Sequence, residues 1–548
     1  MMKLKIKLFS DRPAGFPGKA IIPSLIILLP IIGYWVYSNY VAPISPYYQS
    51  YDPEFQYFLN SMAILRGGSY TYIDHPGTPL EIIGTIILLA TRLFLPNHQG
   101  SFILYHLQHP ELFLGLARGF IVLSSLGCAL LFFYTARESK RLEDVLIAAS
   151  LVMMFFVIHP DSFSTLTIWS HNSFNFAFGT LLLIILFGIL DAPGEIPQWK
   201  IAGIGLGMGA LTSITIYFAA WIAGALIAIM VFHRLQKLSW RKTILAAIGI
   251  VASSLAGFFL ATLPILNLYP AFGSWITGLI FHQGIYGSGA EGITSPSLLL
   301  ANFSMLVRDL PILFAAAGIE LFLLLFALIR WRREISQKPR AWAMAAGLTF
   351  MLLLLTVVIA KHPMDIYMLS LAAILPVLMM TLMDIFQYDP SSRRVLGRAL
   401  IVVLLAGLVI SFSVSLVNRR NYADYIRNAV AQTSLALQNY GASTGRTPDE
   451  LYVYWTYGTY SPCQSLQFGD NGTSEEITND IKNICDHQRG ISIWANRVKV
   501  FQKKWDILIT RTGFMETYPF LKEIGTIYKI VPNTGDEFGS IVIISNTK

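Results

Sequence analysis

The sequence predicts a mainly α, polytopic membrane protein with about eleven transmembrane helices and a small C-terminal α/β domain. Three observations carry this reading. The 548 residues are 54% hydrophobic and only 13% charged, with a mean hydropathy of +0.56, too apolar for an ordinary soluble fold. The apolar runs are long enough to cross a bilayer and are separated by short charged segments. Finally, residues 418–548 turn abruptly polar, and helix-like stretches there alternate with short β-rich runs. The net charge of +8 does not point to nucleic acid, because the basic residues cluster between apolar runs as topology determinants do.

The first crossing is Ala20 to Ser38. A basic segment precedes it (Lys3, Lys5, Lys7, Arg12, Lys19) and no small-residue cleavage site stands out, so it reads as an uncleaved anchor with a cytoplasmic N-terminus. Four basic loops, 136–144, 233–242, 330–340 and 386–398, belong on the cytoplasmic side. That requires an even number of crossings between each. Runs at 145–158, 172–190, 200–213 and 216–232 supply four; two more lie between 243 and 329, and two between 342 and 385. The same parity excludes 79–95 as a crossing, so this segment is expected to lie in, or dip into, the outer leaflet, with Glu81 and Arg92 at its polar ends. The first outer loop then spans 39–112, the second crossing 113–135, and the last crossing 398–416. Further outer loops fall at 159–171, 213–215, 267–307 and 361–364.

Residues 1–417 are thus expected to form the membrane domain and 418–548 an extracytoplasmic α/β domain. In the latter, Tyr422 to Gln438 and Glu475 to His487 look helical; ELYVYW, ISIWAN, WDILITR, GTIYKIV and SIVIIS look like strands. Cys463 and Cys485 either pair, if this domain faces an oxidising space, or stay buried and free.

The chemistry concentrates at the outer loops. The stretch Tyr51 to Pro79, YDPEFQYFLNSMAILRGGSYTYIDHPGTP, places Asp52, Glu54, Arg66, Asp74 and His75 directly after the first crossing. Asp52 and Glu54 open an amphipathic helix with Pro53 at its first position. They either cap it and complement its dipole, or present a rigidly held carboxylate that accepts a proton. Asp74-His75-Pro76-Gly77-Thr78-Pro79 either caps the following helix or lines the same cavity as Asp52. On a face poor in basic residues, isolated cations such as Arg66 suit an anion. In KHPMDIY, Lys361 either snorkels or offers a point charge to a phosphate, with His362 and Tyr367 as donors. Arg118 lies deeper than a comfortable snorkel and requires an anionic partner, either a ligand or an internal carboxylate such as Glu111. The 267–307 loop has an aromatic, amphipathic part and a Gly-rich part, as a lid or an interfacial anchor has. Glu320, midway along its crossing, must face the protein interior.

In order and membrane side, these motifs resemble the GT-C superfamily of polyprenyl-phosphate-sugar glycosyltransferases. The similarity is greatest to the branch of protein O-mannosyltransferases and lipid A aminoarabinose transferases. It covers roughly residues 20–416: YDPEF as the acidic motif, DHPGTP as the His/Lys-Pro-Pro-like motif, GLARGFIV, FHQGIYG and KHPMDIYML. The resemblance implies Asp52 as the catalytic carboxylate, with Glu54 second. Arg118 and Lys361 would hold the donor phosphate, and His282 would line the donor pocket. Two departures stand out. LTSITIYF, with Thr212, Ser213 and Tyr217, lacks the expected Lys or Arg, and WSHNSF puts His171 or Asn172 where an Asp is expected.

The resulting expectation is a multi-pass enzyme of a bacterial-type cytoplasmic (inner) membrane. It would move a sugar from a polyprenyl-phosphate donor to a lipid, glycan or protein acceptor on the outer face, with inversion. Its other partners would be membrane lipids, not nucleic acid. No cofactor is expected; the Asp-x-Glu spacing is compatible with a divalent metal, but the phosphate-binding cations and the metal-independent relatives favour none. The alternatives are a transporter or lipid-linked sugar flippase, for which Glu320 speaks, and an inactive scaffold.

Overall fold

The computed structural model describes residues 18–49, 51–68, 73, 78–94, 102–136, 142–191, 194–283, 290–456, 459–470, 474–491, 505–532 and 539–546. The fold is mostly helical. Helices α1 (Gly18–Val36), α2 (Tyr51–Leu65), α3 (Thr78–Phe94), α4 (Pro110–Ala136) and α5 (Leu142–Ile158) form the first half of the bundle with α6 (Thr180–Ile189), α7 (Gln198–Ile214) and α8 (Ala219–Leu235). The second half comprises α9 (Trp240–Ala261), α10 (Tyr269–Phe281), α11 (Pro296–Asp309), α12 (Pro311–Arg330), α13 (Pro339–Lys361), α14 (Leu369–Ile385) and α15 (Pro390–Thr444). Helix α14 sits at the centre, buried along almost its whole length and packed by α5, α12 and α13. Apolar side chains at the rim stay open, among them Phe322 and Val402, each 68% exposed, as lipid-facing residues are. Helices α7 and α9 lie unusually close because glycine permits it. A Cβ on Gly209 would sit 1.9 Å from the Ser254 carbonyl oxygen, and one on Gly257 would sit 2.2 Å from that of Leu206.

Among the described residues, ten helical segments are long and apolar enough to cross a membrane, against the eleven expected. The sets differ at three places. Helices α5 and α7, both expected to cross, have 17 residues each and fall just short in length. Conversely Leu263–Phe281 qualifies, although it was assigned to the large outer loop. That loop is largely helical: α10 and α11 occupy most of it, and of its glycine-rich part residues 284–289 lie outside the described set.

Ion pairs gather the basic loops at one end of the bundle. Arg340 binds both Asp191 and Asp384, Lys242 binds Glu195, Arg398 binds Glu143 (3.0 Å) and Arg393 approaches Asp144 (3.7 Å). Helices α5 and α13 begin at this end and finish, at His159 and Lys361, at the other.

Helix α15 runs unbroken from Pro390 to Thr444, so the boundary expected at 417/418 falls inside it. Asp389 caps its start, Oδ1 accepting from the Ser391 and Ser392 N–H groups, and Gly445 ends it in the left-handed conformation, φ 69°. Its C-terminal turns support a five-stranded mixed sheet. The strands are β1 (Val453–Thr456), β2 (Gln488–Ile491), β3 (Ile507–Arg511), β4 (Thr526–Val531) and β5 (Ile541–Ser545), in the order β2-β1-β3-β5-β4. Strand β1 runs parallel to β2 and β3; β5 runs antiparallel to β3 and β4. Side-chain alternation divides the two faces. Val453, Trp455, Ile507 and Ile543 pack on Ala423, Ile426 and Ala436 of α15, while Tyr454, Leu508 and Ile544 pack on Trp505, Phe514 and Leu521. Helices α16 (Pro462–Gly469) and α17 (Glu475–Ile484) are joined by a Cys463–Cys485 disulfide, which decides between the two states left open above.

Candidate functional site

Helix α2 begins at Tyr51, one residue ahead of the expected cap, so Asp52 lies in its first turn; the Asp52 side chain is outside the described set. Two residues on, Glu54 is completely buried. The Arg118 guanidinium grips it with two parallel bonds, Nε to Oε1 at 2.9 Å and Nη2 to Oε2 at 2.6 Å. The Trp169 backbone N–H donates a third bond to Oε1 at 2.6 Å. A planar fork on a carboxylate in a dry setting is a strong, directional contact, and it locks the opening turns of α2 against α4 and the 159–171 loop. Arg118 therefore has an internal carboxylate partner, but it is Glu54 and not Glu111, which lies 3.1 Å from His109.

The 159–171 loop also reaches the loop after α13. His159 is fully buried; its Nε2–H donates to the Asp365 carbonyl (3.0 Å) and its Nδ1 accepts from the Asp161 N–H (3.2 Å). Both bonds suit a neutral ring, and burial pushes the imidazole below its ordinary pKa against the pull of Asp161 and Asp365. Asp161 is pushed the other way, upward by burial, with His159 opposing.

Lys361, at the end of α13, donates from Nζ to the carbonyl oxygens of Leu279 (2.6 Å) and Ile280 in α10. His362 Nε2 lies 3.3 Å from the same Leu279 oxygen. Burial, aided by the Lys361 charge, holds the His362 pKa below its ordinary range, and the carbonyl opposes this. Lys361 thus ties two helix ends together through carbonyls, with no carboxylate partner among the described residues. Tyr367 is buried with its ring 4.8 Å from that of Tyr217.

The remaining candidates divide. Arg66 forms an ion pair with Glu476 and lies 3.9 Å from Asp480, so it binds the C-terminal domain to the end of α2. His171 Nδ1 shares a 2.9 Å hydrogen bond with the Tyr57 hydroxyl of α2, and Asn172 beside it is buried. His282 pairs with Glu291 in an isolated bridge that closes the base of the glycine-rich segment. Asp74 and His75 lie outside the described residues. No group of three or more metal-ligating side chains occurs among the described residues. Glu320 is fully buried as expected, and neither carboxyl oxygen has a hydrogen-bond partner among the described residues.

Sequence reasoning missed three contributors. Trp169 acts through its backbone, which no side-chain pattern reveals. His159 stood in an outer loop whose partner lies 206 residues away. Arg419 follows the apolar run 398–416 and was absorbed into the polar tail; the structure buries it at 8% exposure. Its Nε donates to the Ala42 carbonyl (3.1 Å) and its Nη2 to that of Ser38 (3.0 Å).

No family model matches the sequence, and no curated protein does. Among solved structures, the chain is similar to the crystal structure of ArnT from Cupriavidus metallidurans bound to undecaprenyl phosphate. The TM-score is 0.49 at 11% identity, covering 95% of this chain and 97% of that one. The functional reading therefore rests on this chain's own residues.

Proposed function

We propose that the chain is an integral-membrane glycosyltransferase of the GT-C type, moving a sugar from a polyprenyl-phosphate donor to a lipid, glycan or protein acceptor. The observation that carries this reading is the pinned start of α2. The turn that bears Asp52 is fixed by the buried Glu54–Arg118 fork and the Trp169 N–H, the rigid mounting that a general base requires. With both oxygens engaged and no exposure, Glu54 is a positioning residue, and Asp52 is the base.

In the proposed reaction an acceptor hydroxyl or amine attacks the anomeric carbon while Asp52 takes its proton. The bond from that carbon to the phosphate oxygen breaks, its electron pair leaving with the polyprenyl phosphate, and the anomeric configuration inverts. Lys361, with only carbonyl partners among the described residues, steadies the charge growing on the phosphate. Two features support catalysis at the extracytoplasmic face of a cytoplasmic membrane. The site lies at the bundle end opposite the basic loops, and the Cys463–Cys485 disulfide suits an oxidising compartment. Residues 418–548 act as a cover docked on α2.

Release of labelled sugar from a polyprenyl-phosphate sugar tests the reading. Asp52→Asn is expected to lower the rate about 10²–10⁴-fold in folded protein, the usual weight of a positioned base; an unimpaired variant removes Asp52 from this role. The second reading, a transporter or flippase, is favoured by Glu320 alone, a buried carboxyl within a span. Movement of the intact lipid-linked sugar between leaflets without release would establish it.

A further inference from the structure

Three cations lie at the end of the bundle opposite the basic loops, and their charges are met differently. Arg118 is neutralised by Glu54. Lys361 meets carbonyls of α10. Arg419 is nine-tenths buried, and its two hydrogen bonds go to the uncharged carbonyls of Ser38 and Ala42. No carboxylate binds it among the described residues, and its second terminal nitrogen, Nη1, has no partner there. The electrostatic neighbours of Arg419 are Tyr34, Arg118, Tyr422 and Glu54. Glu54 is already engaged by Arg118, so among the described residues this neighbourhood holds two guanidinium groups and one carboxylate. A further described acid, Asp161, acts on Tyr34 and is itself pushed toward its neutral form by burial.

A buried guanidinium without an anion is costly unless something negative completes it. Capping the end of α1 accounts for two of its five N–H donors and for none of its net charge. The geometry also presents the group well. Ser38 and Ala42 fix its Nε and Nη2 edge, at the point where the chain leaves α1 for α2, so the remaining N–H groups are held in one plane.

We propose that Arg419 is the guanidinium that binds the lipid phosphate, the role the sequence resemblance gave to Arg118. This rests on the glycosyltransferase reading and names the group that grips its donor. Arg118 then acts on α2 through Glu54, while Arg419 and Lys361 supply the two positive charges.

The experiment measures binding of undecaprenyl phosphate and of undecaprenol to the full chain in nanodiscs, for wild type, Arg419→Gln and Arg419→Lys. Each variant is checked for wild-type thermal unfolding. Wild type is expected to prefer the phosphate over the alcohol by at least about tenfold, near the 1.4 kcal/mol that such a ratio represents. Arg419→Gln is expected to lose that preference while binding the alcohol as wild type does, and Arg419→Lys to keep part of it. If Arg419→Gln does not fold, Arg419→Lys decides, since a lysine lacks the planar fork; a full wild-type preference in it overturns the proposal. A preference retained in Arg419→Gln overturns the role of Arg419 alone, as does an equal loss of both ligands, which marks a purely structural clamp. A wild type that does not distinguish phosphate from alcohol overturns the polyprenyl-phosphate reading and this inference together.

Discussion

Glu54 and Arg118 show how one pair of side chains serves both stability and placement. Removing one member strands the other charge in a dry interior. Glu54→Gln is therefore expected to destabilise the protein by about 3–5 kcal/mol. The double variant Glu54→Leu/Arg118→Met is expected to recover most of that loss, because a well-packed apolar pair tolerates burial. Sugar transfer is expected to stay absent in the double variant, since the opening turn of α2 is no longer fixed. Thermal unfolding measured beside transfer separates these effects; a double variant that is both stable and active would make the pair merely structural. A second residue-scale effect belongs to His159. Its folded-state pKa lies below its ordinary 6.5 because burial disfavours the imidazolium, so the unfolded chain takes up a proton that the folded chain refuses. Its stabilising share is complete above about pH 6.5 and is lost as the pH falls below it. Asp161, raised by burial, works in the opposite sense, so the comparison is made against His159→Gln with Asp161 retained. The stability advantage of wild type is expected to shrink from pH 8 to pH 5; a constant difference would show that His159 does not titrate in this range.

At the scale of elements, patterns confined to one segment were legible and contacts between segments were not. Four of the five β-rich runs of the tail each contributed to a strand, because period-two alternation and β-branched residues are local properties; of the fifth, ISIWAN, only Ile491 falls in β2, Gln488–Ile491, and 492–496 lie outside the described residues. The segment 79–95 formed α3, Thr78–Phe94, nearly residue for residue. Residues 418–444 were read as the start of a new domain because their composition changes. The backbone hydrogen bonds of a helix ignore such a change, so α15 continues through it and carries Arg419 to the carbonyls of Ser38 and Ala42. The large outer loop, whose aromatic and glycine-rich parts suit a lid or an interfacial anchor, carries enough apolar helix formers in its flanks to make α10 and α11. The candidate site divides on the same principle. Residue types announced Glu54, Arg118 and Lys361, whereas their pairing, and the parts played by Trp169 and His159, depend on loops far apart in sequence.

At the scale of the whole molecule, the C-terminal domain docks on the helix that carries Asp52. Helix α16 packs on α2, Ser465 Oγ donates to the Tyr47 carbonyl (2.6 Å), Gly469 lies against the Phe55 backbone, and Arg66 reaches Glu476. The disulfide holds this layer together by linking α16 to α17 across 22 residues, a loop whose closure contributes about 3 kcal/mol in the chain-entropy account. The Cys463→Ala/Cys485→Ala variant is expected to lose about that much, read as faster hydrogen exchange in α16 and α17. Transfer is expected to fall because the cover on α2 loosens; unchanged exchange there would mean that packing alone holds the layer. The sequence by itself determined the membrane-spanning character, most of the helices long enough to cross and four of the tail's strands, because hydropathy and periodicity are written locally along the chain. Only the tertiary structure decided which charge meets which. Arg118 is neutralised by Glu54 while Arg419 meets only carbonyls among the described residues, because ion pairing depends on distance in three dimensions, and these partners lie on segments separated by tens to hundreds of residues.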